Sequence, residues 1–199
     1  MRAAVAGSST AVQPSERDEI RDLLKRTAVA LKQGDVPFAL CGGYAAWMRG
    51  APEPDHDADF LVPEAEADRA AKVLADAGLQ VQDPPEDWLT KVVSGGSFVD
   101  VLWRTCGRPV ETDLIERAEV LPVLSVHMPV LTATDIVVTK LMTLDEHYCD
   151  FARMLPVARA LREQVDWAAV EEAVADNDFA VVFLQLLDRL GVVPKVSAA

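Results

Sequence analysis

The sequence predicts an α+β domain, a mixed β-sheet flanked by helices, followed by a helical C-terminal part. Three observations carry this. Strand-like apolar runs and helical periods are interleaved over residues 14–131, without a repeated strand–helix–strand unit. One pair of runs is joined by Ser94-Gly95-Gly96, a hairpin signal that makes its neighbours antiparallel. From Thr132 onward the apolar residues recur only at helical spacing. The expected organisation is a loose tail over 1–13, an α+β domain over 14–131, and a helical part over 132–199 packed on it.

Local signals give the elements in order. Pro14-Ser15 opens a first helix, because Ser15 and Asp18 have capping-box spacing and Ile20, Leu23, Leu24, Ala28 and Leu31 follow at helical period. Gly34-Asp35 ends it. Residues 36–41 are a short apolar run, read as a buried strand that breaks at Gly42-Gly43. A short helix over 44–49 and a loop over 50–56 with Pro52 and Pro54 follow. Residues 57–62 alternate polar and apolar and read as a strand; 64–77 read as a helix closed by Gly78. Three strands are expected over 79–82, 88–93 and 97–104, then a short helix over 114–118. The run 120–131 holds Pro122 and Pro129 and reads as strand pieces at an edge. Thr132 and Asp135 cap a helix reaching about His147, and further helices cover 150–163, 166–175 and 179–190.

Composition narrows the function classes. The chain has 199 residues, half of them hydrophobic, with 32 acidic and 19 basic residues and a net charge of −13. Such a balance disfavours holding nucleic acid through a basic surface, and equally disfavours docking on anionic lipid. Eleven acidic residues against two basic ones (Arg69 and Lys72) fall between Glu53 and Asp87, which is either a solubilising surface or contains a site. Cys41, Cys106 and Cys149 form no CxxC pair, so neither a zinc knuckle nor a disulfide framework is expected. They read as neutral thiols in a reducing cytoplasm. The start of the chain makes a poor signal peptide, and no run approaches the ~20 apolar residues of a membrane span.

The strongest chemical feature is Asp57-Ala58-Asp59-Phe60. Alternate side chains of a strand share a face, so Asp57 and Asp59 stand side by side while Ala58, Phe60 and Val62 face the core. Two adjacent carboxylates repel unless a hard cation such as Mg²⁺ sits between them; the plainer alternative is two solvated acids. Asp100 is a single acid in Ser97-Phe98-Val99-Asp100-Val101-Leu102-Trp103, on the face of Phe98 and Leu102. It is a costly residue to bury without a metal or a partner such as Arg104. Third, Leu40-Cys41-Gly42-Gly43 runs a strand into paired glycines and a helix. That turn lets backbone N–H groups approach phosphate oxygens, or is an ordinary tight turn. Lys140 lies on the apolar stripe of Ile136 and Leu144, where a lysine either snorkels outward or meets an anion. Asp150 either holds Lys140 or caps a helix. Trp47, Trp88 and Trp103 lie in apolar patterns and read as core, as does Trp167 in a helix.

Taken in order, these pieces resemble the nucleotidyltransferase superfamily whose fold is typified by DNA polymerase β. Its motif is an apolar residue, Gly, then Gly or Ser, a gap, and Asp-apolar-(Asp/Glu)-apolar. Cys41-Gly42-Gly43 followed, after thirteen residues, by Asp57-Ala58-Asp59-Phe60 fits it, and Asp100 occupies the place of the third carboxylate. The resemblance implies transfer of an NMP from an NTP, such as ATP, to an acceptor hydroxyl. It implies two Mg²⁺ ions held by Asp57, Asp59 and Asp100, and a triphosphate against Gly42-Gly43 and Lys140. Members modify antibiotics, proteins or tRNA ends, the last as toxins of toxin–antitoxin systems. The acidic balance favours a small cationic acceptor over tRNA. Many small members carry Thr or Ser two residues before the first Asp, and here that position is Asp55. This departure favours the alternative of a catalytically silent nucleotide- or partner-binding module. His56 reads as a switchable ligand or as a loop residue.

Overall fold

In the computed structural model, which describes residues 15–54 and 57–193, helix α1 (Glu16–Gln33) begins at the expected cap. The Ser15 hydroxyl accepts the Asp18 N–H, and the Asp18 carboxylate reaches back to the Ser15 backbone. Such a cap is worth about 1 kcal/mol. Ile20, Leu23, Leu24 and Leu31 are buried, at roughly 1.5–3 kcal/mol each, so packing holds this helix more than its cap does. The expected tail over 1–13 lies outside the described residues, as do Asp55 and His56.

Strand β1 (Ala39–Cys41) leads directly into α2 (Gly42–Met48), and β2 (Ala58–Leu61) returns antiparallel to β1. A 3-10 turn (Glu64–Glu66) and α3 (Ala67–Asp76) connect to β3 (Gln80–Gln82), β4 (Leu89–Ser94) and β5 (Ser97–Leu102). A two-stranded ribbon, β6 (Arg104–Thr105) and β7 (Arg108–Pro109), precedes α4 (Thr112–Glu116), β8 (Glu119–Val123) and β9 (Val126–Val130). Helices α5 (Ala133–Met142), α6 (Phe151–Leu161), α7 (Trp167–Ala173) and α8 (Asp178–Arg189) complete the described chain.

Seven strands form one mixed sheet in the order β3-β4-β5-β2-β1-β9-β8. The β2–β5 and β1–β9 pairs are parallel and the other pairs antiparallel. Helix α1 packs on β4, β5 and β9 and against α3; α2 lies on β1 and β2 and against α5, which in turn meets α6, α7 and α8. Ala58, Phe60, Val99 and Val101 are buried on one face of the central strands, and Phe60 meets the Phe38 ring edge-on at 5.6 Å.

The structure differs from the sequence expectations in five places. The strand expected over 36–41 is confined to Ala39–Cys41, and the following helix starts at Gly42 instead of residue 44. Helix α5 ends at Met142 and not near His147, because the Asp145 carboxylate accepts the His147 and Tyr148 N–H groups at 2.7 Å each and turns the chain. The run 120–131 is a hairpin in which only β8 is an edge; β9 is covered by β1. The β6–β7 ribbon had no sequence expectation; its Cys106-Gly107 turn has positive φ at both residues, the geometry that matches strand twist in a two-residue hairpin. Finally, Trp88 is 39% exposed, whereas Trp167 is buried and Trp47 and Trp103 are partly buried against the core.

Candidate functional site

One row across the sheet collects the polar side chains of the central strands. Cys41 is the register partner of Asp59, Asp59 of Asp100, and Asp100 of Lys91. Register partners project to the same face, so four strands aim these four side chains at one spot. Asp57, just before β2, falls two residues from Asp59 on that face. Carboxylate oxygens of Asp57, Asp59 and Asp100 lie within 4.8 Å of one another.

The first glycine of the Gly42-Gly43 pair makes room for this cluster. Gly42 has φ +63°, and a Cβ there would overlap the Asp59 carboxylate. A Cβ on Gly43 would come within 2.9 Å of Pro54, which packs the loop before Asp57 onto the start of α2. That loop is also anchored from α1: the Arg21 guanidinium donates to both Glu53 carboxylate oxygens at 2.7 and 2.8 Å and lies over the Trp47 ring.

Electrostatics follow from this crowding. Burial, then the neighbouring Asp57 and Asp100 carboxylates, push the Asp59 carboxyl up to about 7, with Lys140 and Lys91 acting in the opposite direction. Burial also raises Asp100, offset by Lys91, whose ammonium donates to both Asp100 oxygens at 2.8 and 3.0 Å. Burial raises the Cys41 thiol well above its usual range, and Asp59 adds to that, so Cys41 is a neutral wall of the site. Clustered hard oxygen donors whose mutual repulsion is unrelieved fit a divalent cation of the Mg²⁺ type.

A cleft of about 560 Å³ opens on the cluster. Asp57, Asp59, Gly43 and Lys140 line it, together with Tyr148 and Arg153 from the segment after α5. Asp100 does not line this cleft; it stands behind Asp59, 8% exposed. Asp150 caps α6 through the Ala152 and Arg153 N–H groups and pairs with the Arg153 side chain at 3.3 Å, so of its two readings the structure has the cap. Arg104, the partner considered for Asp100, instead pairs with Glu64 at 2.6 Å.

Sequence reasoning missed Lys91, Tyr148 and Arg153. A signal for Lys91 existed: with Gly95-Gly96 as a two-residue turn, Ser94 pairs with Ser97 and Lys91 falls opposite Asp100. Tyr148 and Arg153 carry no local signal, since their place depends on where α5 stops.

The profile of a family described as "uncharacterised nucleotidyltransferase" matches residues 16–192. No curated protein matches the chain. Among solved structures, a candidate nucleotidyltransferase from H. pylori superposes with a TM-score of 0.54 at 17% identity, over 89% of this chain and 81% of that one. ANT(2")-Ia, solved in complex with adenylyl-2"-tobramycin, superposes with a TM-score of 0.53 at 14% identity, over 83% of this chain and 97% of that one. At these identities the likeness is one of fold. Among the described residues, no helix is long and apolar enough to cross a membrane.

Proposed function

The chain belongs to this nucleotidyltransferase family, and from that premise we propose that it is a Mg²⁺-dependent enzyme moving an NMP from an NTP, ATP being the first to try, to the hydroxyl of a small cationic acceptor. The observation that carries the reading is the convergence of Asp57, Asp59 and Asp100 beside a cleft that reaches Lys140.

In this reading Asp57, Asp59 and Asp100 hold two Mg²⁺ ions. Bound there, the metal neutralises phosphate charge and lowers the pKa of an acceptor hydroxyl. The Gly42-Gly43 turn lets the triphosphate approach the backbone, and Lys140 faces its negative charge across the cleft. Asp100 takes the proton of the acceptor hydroxyl as its oxygen bonds to the α-phosphorus. The bond from that phosphorus to the pyrophosphate oxygen breaks, and pyrophosphate leaves. Lys91 keeps Asp100 oriented and ionised against its burial. Positioning and charge placement on rigid strands supply most of the rate gain.

The net charge of −13 supports a small cation over tRNA as acceptor. An NTP-dependent reaction and thiols without disulfide pairing suit the cytoplasm. The test is incubation with each α-labelled NTP, Mg²⁺, and amine-bearing sugars, bulk tRNA or the protein alone. Transfer to a small amine acceptor that is lost in Asp57→Asn and Asp59→Asn is the expected result. NTP binding without transfer to any acceptor identifies a silent binding module instead, and labelling of tRNA alone identifies a tRNA-modifying enzyme.

A further inference from the structure

A second cavity, of about 570 Å³, lies on the other side of Thr143 and Leu144 from the cleft just described, and these two residues line both. Leu102 forms part of its floor. Leu102 follows Asp100 by two residues on β5, so it shares the face of Asp100 at a spacing of about 7 Å along the strand. The carboxylate cluster therefore stands between two cavities: one reaches Lys140 and Gly43, and the other opens beside Asp100.

The walls of this second cavity have a definite chemistry. Trp88 lines it and is 39% exposed, leaving a flat aromatic surface to solvent. Its backbone carbonyl accepts the Trp103 N–H, so the main chain that carries the ring is fixed. Asp87 beside it is exposed and has no hydrogen bond or ion pair among the described residues. Asp145 faces it from the end of α5, with one carboxylate oxygen held by the His147 and Tyr148 N–H groups. The one cation in the lining, Arg104, is tied to Glu64 at 2.6 Å. The balance left to a ligand is two carboxylates around an aromatic face, in a volume of the size that takes a small molecule.

The geometry points to this cavity as the acceptor site, taking a small polyhydroxylated amine that stacks on Trp88, sets its ammonium groups against Asp87 and Asp145, and turns a hydroxyl toward Asp100. Rings with an apolar face pack on indole, and a cation over that face is attracted by its quadrupole. A polyphosphate chain is repelled by the same two carboxylates, which assigns the NTP to the Lys140 side. The inference rests on the nucleotidyl-transfer reading and adds where the acceptor enters and what recognises it.

Cys106 supplies a readout independent of turnover, since it is exposed and lines the cavity while Cys41 is buried. In a Cys149→Ser background, alkylation of Cys106 by N-ethylmaleimide is followed with tobramycin, glucosamine, glucose, spermidine or bulk tRNA present. Tobramycin at millimolar concentration is expected to slow alkylation at least fivefold, and glucosamine less. Glucose and spermidine, each lacking one half of the required chemistry, leave the rate unchanged. Trp88→Ala, Asp87→Asn and Asp145→Asn are each expected to weaken the protection by tobramycin at least fivefold. Asn at 145 retains an oxygen for the two backbone N–H groups, so that variant keeps the turn. No protection by tobramycin, protection indifferent to all three substitutions, or protection by tRNA alone overturns the assignment. Mg²⁺-dependent ATP binding, lost in Asp59→Asn, is measured in parallel. If it persists while Cys106 is unprotected, the acceptor site falls and the nucleotidyl-transfer reading stands; if both fail, both fall.

Discussion

Lys91 on β4 and Asp100 on β5 are direct register partners, and the lysine ammonium bridges both oxygens of the aspartate at 2.8 and 3.0 Å. The pair is unequally buried, with 30% of the lysine side chain exposed and 11% of the aspartate. Lys91 also lies over the Phe98 ring at 4.5 Å. The aspartate most costly to leave alone thus has a cation that does not depend on a metal.

Lys91→Met removes that cation and leaves a buried carboxylate. Breaking a fully buried pair costs about 3–5 kcal/mol, and partial exposure here reduces the expectation to roughly 1–3 kcal/mol. Thermal melts should show a Tm lower by several degrees. Mg²⁺ should raise the Tm of this variant more than that of the parent, because the metal then replaces the missing charge.

Asp59 gives the metal-free protein a pH dependence of known sign. Its carboxyl stands at about 7 in the folded chain against 3.8 as a free group. Its contribution to stability is complete below the lower value and is lost as pH rises toward the upper one, since the unfolded chain releases the proton first. Asp59→Asn should therefore stabilise the metal-free protein by about 1–3 kcal/mol at pH values above about 7 and by little near pH 4. Equal stabilisation at both ends of the range, read from urea midpoints, contradicts this account. Saturating Mg²⁺ should reverse the preference, favouring Asp over Asn.

Gly42→Ala strains a φ of +63° and drives a methyl group into the Asp59 carboxylate. The backbone and overlap costs together are roughly 2–4 kcal/mol. Activity should fall further than stability, because Asp59 is the group displaced. Denaturant melts and turnover on the same sample separate the two effects.

Lys140→Ala takes the positive charge from the cleft wall. A charge-assisted hydrogen bond to phosphate is worth about 1.5–3 kcal/mol, so KM for the NTP should rise about tenfold or more. Lys140→Arg should recover part of it. Unchanged nucleotide affinity in the alanine variant would place the triphosphate elsewhere.

Arg21→Ala frees Glu53 and the loop that carries Pro54 against Gly43. The expected outcome is a three- to tenfold weaker affinity for Mg²⁺, on the order of 1 kcal/mol, with helix α1 intact by circular dichroism. This variant reports on positioning, since Arg21 does not line the cleft.

Much of the arrangement was legible along the chain. The alternation in Asp57-Ala58-Asp59-Phe60 puts both acids on one face, because the strand period is two. The helical periods of α1 and the cap at Ser15 are equally local. Where reading failed, a local feature had two solutions. Taken as three residues, Ser94-Gly95-Gly96 leaves the β4–β5 register open, and a slip of one residue would turn Lys91 to the other face. Trp88 sits at the start of an apolar pattern, yet whether anything covers it depends on the distant ribbon β6–β7 and on the end of α5.

The sequence by itself determined the order of the elements, the face that each acid takes on its own strand, and the glycine pair that must precede them. These follow from backbone periods and turn chemistry acting over a few residues. Only the tertiary structure decided that β2 lies parallel beside β5, which puts Asp59 against Asp100, and that α5 stops where it leaves Lys140 on one cavity and Asp145 on another. Those choices are made by burial and hydrogen bonding between segments far apart in the chain, and no local pattern encodes which distant strand will satisfy them.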